Sequence, residues 1–108
     1  MNNVPPKDQI DLSLVIPTFN EEDSVRPLVE EIQSALDPLG QTYEVIFVDD
    51  GSNDATWSHL DALAKELDQV KGLRFQRNHG KSAALQEGFS YAAGQYIVTL
   101  DADLQDDP

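Results

Sequence analysis

Residues 43–54 read Y-E-V-I-F-V-D-D-G-S-N-D. The six residues Y-E-V-I-F-V (43–48) are mostly β-branched and aromatic, which marks a strand, and three aspartates crowd the six positions after it. Working outward, the same alternation recurs on both sides. Upstream, L-S-L-V-I (12–16) is a short apolar strand bounded by Pro17, followed by Val25, Leu28, Val29, Ile32 and Leu36 at the spacing of one helix face. Pro27 fits only a first turn, which makes Ser24 the N-cap. Downstream, Trp57, Leu60, Leu63, Ala64 and Leu67 stripe a second helix, and G-L-R-F (72–75) is a short third strand. Ala84, Leu85, Gly88 and Phe89 mark a third helix that Gly94 should end, and Q-Y-I-V-T-L (95–100) is the fourth strand.

The order β-α-β-α-β-α-β with helical crossovers predicts an α/β unit with a parallel sheet covered by helices on both faces. In such sheets ligands bind beyond the carboxyl ends of the strands, where the strand order reverses. Four segments deserve scrutiny on that ground: 17–21, 49–54, 77–81 and 101–107. Seven of the 20 acidic residues fall in two of them: Asp49, Asp50 and Asp54 in one, Asp101, Asp103, Asp106 and Asp107 in the other. Carboxylates that close repel unless a cation or open solvent relieves them, and a hard divalent cation with oxygen ligands is the natural occupant. In an extended D-A-D-L-Q, Asp101, Asp103 and Gln105 project to one side. Magnesium takes one or two carboxylates and completes its shell with water and phosphate oxygens, so this spacing suits a metal-diphosphate site. A plainer reading is a helix N-terminus that favours acids, and for an isolated D-x-D it is the commoner case.

Composition narrows the function classes. The 108 residues and 40% hydrophobic content support one compact unit, expected over 11–108 behind a disordered lead-in at 1–10. A formal net charge of -13 excludes nucleic-acid phosphate contacts as the main function, because those need clustered Lys and Arg. The absence of cysteine removes disulfides and thiolate chemistry. No apolar run approaches the roughly 18 residues of a membrane span, and the N-terminus lacks a signal-peptide layout, so this part of the protein is expected in the cytosol.

Several motifs fail on inspection. G-K-S (80–82) would end a P-loop only with glycine at 75, where Phe75 stands. No G-x-G-x-x-G follows a strand, and D-G-S-N-D-A (50–55) has Ala55 where a calcium loop needs glycine. A phosphoacceptor receiver domain, a non-catalytic module binding phosphate or a metal, is the remaining rival. Its acidic pair belongs after the first strand, where this chain has P-T-F-N-E (17–21).

P-T-F-N-E (17–21), V-D-D-G-S-N-D (48–54), R-N-H-G-K-S-A-A-L (77–85) and D-A-D-L-Q-D-D-P (101–108), in that order, resemble glycosyltransferase family 2, in particular the dolichol-phosphate mannosyltransferases and undecaprenyl-phosphate glycosyltransferases. R-N-x-G-K and D-A-D-L-Q-D lean toward the undecaprenyl branch. The resemblance implies a type A, Rossmann-like nucleotide-diphospho-sugar transferase fold, of which this chain is the donor-binding half. It implies that Pro17, Phe19 and Glu21 line the nucleotide pocket, that Asp50 contacts the base with Val48 beside it and Asp49 supporting the loop, and that Lys81 and Ala102 lie near the nucleotide. Asp101 and Asp103 would be the catalytic D-x-D pair, holding Mg2+ or Mn2+ with help from Gln105.

The implied reaction moves a sugar, with inversion, from a UDP- or GDP-sugar to a polyprenyl phosphate. Members of the family continue past this motif with an acceptor-binding part and often membrane helices, so the chain, ending at Pro108, is expected to be a piece of a longer protein at the cytoplasmic face of a membrane and to transfer no sugar alone. The other polar residues have bland readings. Trp57 is core, His59 lies at a helix edge, Asn20 is a turn or cap residue, Gly51 supplies backbone freedom, and Arg77, His79, Asp106 and Asp107 carry no assigned role.

Overall fold

The computed structural model describes residues 10–102. The elements follow the expected alternation: β1 (Leu12–Thr18), α1 (Val25–Leu36), a 3-10 turn (Asp37–Leu39), β2 (Tyr43–Asp50), α2 (Thr56–Glu66), β3 (Val70–Phe75), α3 (Lys81–Tyr91) and β4 (Tyr96–Thr99). The four strands form one sheet in the order β3-β2-β1-β4, with every pair parallel. The chain runs outward from β1 through β2 to β3, then crosses back to place β4 on the other side of β1. The order reverses between β1 and β4, and that is where such a sheet opens a crevice. A receiver-type sheet, ordered 2-1-3-4-5, would put the third strand beside the first; here it lies beside the second.

Alternate strand positions feed two cores. Leu14, Ile16, Val45 and Phe47 pack with Val25, Leu28, Val29 and Ile32 of α1 and with Leu60 and Leu63 of α2. Ile46 and Val48 face the other way, onto Ala84 of α3. The helix α3 sits close because of Gly88, where any Cβ would overlap the side chain of Val15. The faces thus divide as α1 and α2 on one side and α3 on the other, the two-sided cover that parallel strands need.

Several boundaries differ from the sequence reading, each for a local reason. β1 runs through Pro17 to Thr18. Val15 accepts Leu100 N–H, so the position two residues on also faces β4, which has already ended there, and the missing proline donor costs no ladder bond. β2 continues to Asp50, pairing Asp49 with Arg74 and Asp50 with Phe75, so these two acids end a strand rather than occupy a loop. β3 begins at Val70, two residues before the expected start, because Val70 is buried opposite Val45. The helix α3 stops at Tyr91, before Gly94. Glu44, buried at the start of β2, accepts Ala93 N–H at 2.7 Å and Ser13 Oγ–H at 2.6 Å, and Ser13 Oγ accepts Gly94 N–H at 2.8 Å. Those bonds pull the chain extended at Ala92.

Ser24 does hold the N-cap position of α1, with no side-chain cap bond. Trp57 is partly buried against the larger core, under the Arg74 guanidinium at 5.5 Å from the ring centroid.

Candidate functional site

At the carboxyl ends of β1 and β4 lies a cleft of about 330 Å3 lined by Pro17, Thr18, Phe19, Glu21, Asp50, Lys81, Asp101 and Ala102. Its size falls in the range of small-molecule sites. Each strand end contributes a different chemistry. β1 delivers an aromatic ring, Phe19, 41% exposed. β2 delivers a nearly buried carboxylate, Asp50, and the segment after β4 delivers an exposed one, Asp101. Lys81, the first residue of α3, supplies the cation.

The Phe19 wall is stitched to the segment after β2. Asn20 donates its N–H to Ser52 Oγ at 2.8 Å, and its Oδ1 accepts Asn53 N–H at 2.8 Å. Ser52 Oγ–H donates in turn to Asp49 Oδ1. Glu21 N–H donates to Thr56 Oγ1 at 2.8 Å, Thr56 Oγ1–H to Asp54 Oδ1 at 2.5 Å, and Ala55 N–H to Glu22 Oε1 at 2.9 Å. His59, exposed as expected at the helix edge, has Nδ1 2.9 Å from the Glu22 carbonyl and donates to it in the Nδ1–H tautomer. The Ala55 N–H bond, together with Thr56 N–H to Asp54 Oδ1 at 2.9 Å, satisfies two amides at the start of α2 that no helical partner reaches.

Asp50 organises the opposite turn. Its Oδ1 accepts His79 N–H at 2.7 Å, and its Oδ2 accepts Gly80 N–H at 3.0 Å and Asn78 Nδ2–H at 3.1 Å. Gly51 makes the approach possible: its φ is +78°, and a Cβ there would stand 2.5 Å from the Arg77 carbonyl carbon. No side chain fits, which bears out the backbone freedom read from the sequence. The turn so held presents Lys81, whose Nζ donates to Asp101 Oδ1 at 2.9 Å. His79 adds an edge-on ring contact with Phe75 at 5.0 Å between centroids.

Two carboxyls, Asp49 near the end of β2 and Asp54 just after it, are shifted in opposite directions. Burial raises Asp49 above the usual 3.8, against the lowering effect of the Ser52 hydroxyl and amide, and its Oδ2 is buried with no partner among the described residues. Burial pushes Asp54 upward as well, but the hydroxyl and amide of Thr56, with the amides of Glu22 and Asp54, together outweigh it and hold the carboxyl below 3.8.

Of the residues expected from the sequence, Pro17, Phe19, Glu21, Asp50, Lys81, Asp101 and Ala102 all line this one cleft. Val48 does not: its side chain is fully buried toward α3, and its carbonyl accepts Thr18 Oγ1–H at 3.3 Å. Asp103, Gln105, Asp106 and Asp107 lie outside the described residues. Among the described residues no group of three or more acids or histidines is arranged to hold a metal ion. The donor at hand, an exposed carboxylate beside a cleft, fits a hard cation that takes one or two protein oxygens and draws the rest from phosphate and water. Thr18, Ser52, Thr56 and Asn78 were missed in the sequence, and Asn20 was read too blandly. Their roles depend on partners some 30 residues away, which no local pattern announces.

Residues 13–108 match the sequence profile described as "Glycosyl transferase family 2". The chain is 45% identical over 98 residues to an undecaprenyl-phosphate 4-deoxy-4-formamido-L-arabinose transferase of Aeromonas hydrophila, covering 90% of this chain and 30% of the relative. It is 44% identical over 104 residues to a dodecaprenyl-phosphate galacturonate synthase of Rhizobium johnstonii, covering 95% of this chain and 31% of that one. The mannosyltransferase PcManGT from Pyrobaculum calidifontis, solved in complex with GDP-Man and Mn2+, superposes with a TM-score of 0.75 at 26% identity over 94% of this chain and 30% of its own. The chain therefore spans about a third of the length of the proteins it matches.

Proposed function

The chain belongs to glycosyl transferase family 2, and from that premise we propose that its cleft binds the nucleotide-sugar donor of an enzyme that glycosylates a polyprenyl phosphate. The observation that carries the reading is one cleft, at the β1/β4 reversal, with an aromatic ring on one wall and a Lys81–Asp101 pair on the other. A nucleoside diphosphate has the complementary chemistry: a flat base at one end and a doubly ionised diphosphate at the other. The likeness to a GDP-Man and Mn2+ complex and to transferases named for undecaprenyl and dodecaprenyl phosphate supports it.

In this reading Phe19 stacks on the base, an interaction worth about 1–3 kcal/mol. Asp50 faces the base from the cleft floor. A carboxylate has about four acceptor positions, so the three donors it already holds leave room for one base N–H. Pro17, Glu21 and Ala102 shape the pocket, and Lys81 Nζ meets the diphosphate. Asp101, with Asp103 and Gln105, would hold Mg2+ or Mn2+, whose chemistry is Lewis-acid stabilisation of the leaving diphosphate.

The acceptor, a phosphate monoester with a second pKa of about 6, is already largely ionised near neutral pH. One of its oxygens attacks the anomeric carbon as the bond to the diphosphate breaks on the opposite side, which inverts the configuration and requires little general-base help. An acceptor carried on a polyprenyl chain puts the reaction at a membrane surface, for which the cytoplasmic face is the expected side. Among the described residues no helix is long and apolar enough to cross a membrane.

Calorimetric titration of the chain with UDP and with GDP, each with Mn2+ and with a chelator, tests the reading. Saturable binding of one nucleotide that needs the metal and weakens about ten-fold in Phe19→Ala is expected. Heats indistinguishable from dilution for both nucleotides with Mn2+ would sink it.

A further inference from the structure

Phe19 is the exposed aromatic of the cleft, and the described bonds that fix it are made by its neighbours. Thr18 is tied to Val48, Asn20 to Ser52 and Asn53, and Glu21 to Thr56. The residue that turns the chain here is Asn20. Its φ of 54° is the one positive value among the described non-glycine residues, a region that asparagine tolerates better than most side chains do. Asn20 itself is not on the cleft wall. Its side-chain Oδ1 faces the segment after β2, where it accepts Asn53 N–H. The Ser52 hydroxyl that accepts the Asn20 N–H is held by Asp49, buried in the sheet.

We propose that Asn20 is a positioning residue: its left-handed turn and its bond to Asn53 lock the ends of β1 and β2 together and thereby set Phe19 on the cleft wall. The inference rests on the nucleotide reading above for its consequence and on the hydrogen bonds for its cause. A locked ring binds more tightly than one that must be ordered when the ligand arrives. Asn20→Ala loses both the turn preference and the acceptor. Asn20→Gly keeps the turn alone. Asn20→Asp keeps both, since a carboxylate accepts the same N–H. A residue that merely filled space would not rank its variants in that order.

The test has two arms. In the first, with no ligand, amide hydrogen exchange is followed by NMR in the chain and its three variants. Asn20→Ala should speed exchange at Asn53 by about two- to ten-fold, as expected for one lost hydrogen bond, leave Val15 and Phe47 as they were, and be reversed in Asn20→Asp. Unchanged exchange at Asn53 in Asn20→Ala overturns the lock, whatever the second arm gives. In the second, the Kd of the preferred nucleoside diphosphate with Mn2+ should rise about five- to ten-fold in Asn20→Ala, less in Asn20→Gly, and little in Asn20→Asp. Equal Kd in all four proteins overturns the positioning role. If the unsubstituted chain binds neither nucleotide, the functional reading fails, and the first arm alone decides whether Asn20 locks the two loops.

Discussion

The two walls of the cleft are built to different standards. The wall from β1 and β2 is backed by the larger core, with Val25, Phe47, Leu60 and Leu63 almost without exposed surface, and its loops are tied by at least six side-chain hydrogen bonds. Among the described residues, β4 has one strand ladder, to β1, and its wall closes on one exposed ion pair, from Asp101 to Lys81 at the end of the turn that Asp50 holds. Tyr96, Ile97 and Val98 of β4 are 71%, 44% and 41% exposed. The contrast teaches that, among the described residues, the end of the site proposed for the base is the more heavily tied of the two.

Equal truncations on the two sides should break very unequal amounts of structure. Leu60→Ala, beneath the first wall, is expected to cost about 2–5 kcal/mol in urea unfolding, whereas Val98→Ala on β4 should cost less than about 1 kcal/mol, because little apolar area is lost from cover. Similar losses at the two positions would remove the contrast.

Asp49 sharpens it at one residue. Its carboxyl is raised above 3.8 by burial, so the charged form is penalised in the folded chain alone. That penalty is fully present above the folded-state pKa and fades as pH falls from there toward 3.8. The stability of the chain relative to Asp49→Asn should therefore rise as pH is lowered through that window in urea titrations. A relative stability that falls over the same window would show that Asp49 carries no burial penalty. The smallest effect belongs to the second wall: Lys81→Ala removes a pair whose side chains are 64% and 71% exposed, and thermal unfolding should register under about 1 kcal/mol. A larger loss would mean that wall is more firmly held than its exposure indicates.

These differences also explain what was legible beforehand. The alternation of elements, the two-sided cover and most of the cleft lining followed from apolar spacing and from the rule that ligands gather at strand ends. Periodicity stopped β1 at Ile16 and β2 at Val48, because proline and paired aspartates read as breakers. The chain continues through both because Pro17 faces past the end of β4 and Asp50 finds three donors in the turn before α3. Val48, which the resemblance set beside the base, lies on the same face of β2 as Asp50 but two residues deeper, where Ala84 of α3 covers it. The bonds of Asn20 span 32 and 33 residues, and neither composition nor spacing encodes such pairings.

The claim that matters most is that one cleft takes base and diphosphate at opposite ends, and Mn2+ reports on it directly. Amide NMR spectra of the chain should be recorded with trace Mn2+ and a saturating nucleoside diphosphate, UDP and GDP in turn. The account predicts nucleotide-dependent paramagnetic broadening that is strongest at Asp101 and Lys81 and, with Mg2+ in place of Mn2+, chemical-shift changes at Phe19 and Asp50 for the preferred base. Broadening spread over the acidic surface, the same with and without nucleotide, would contradict it.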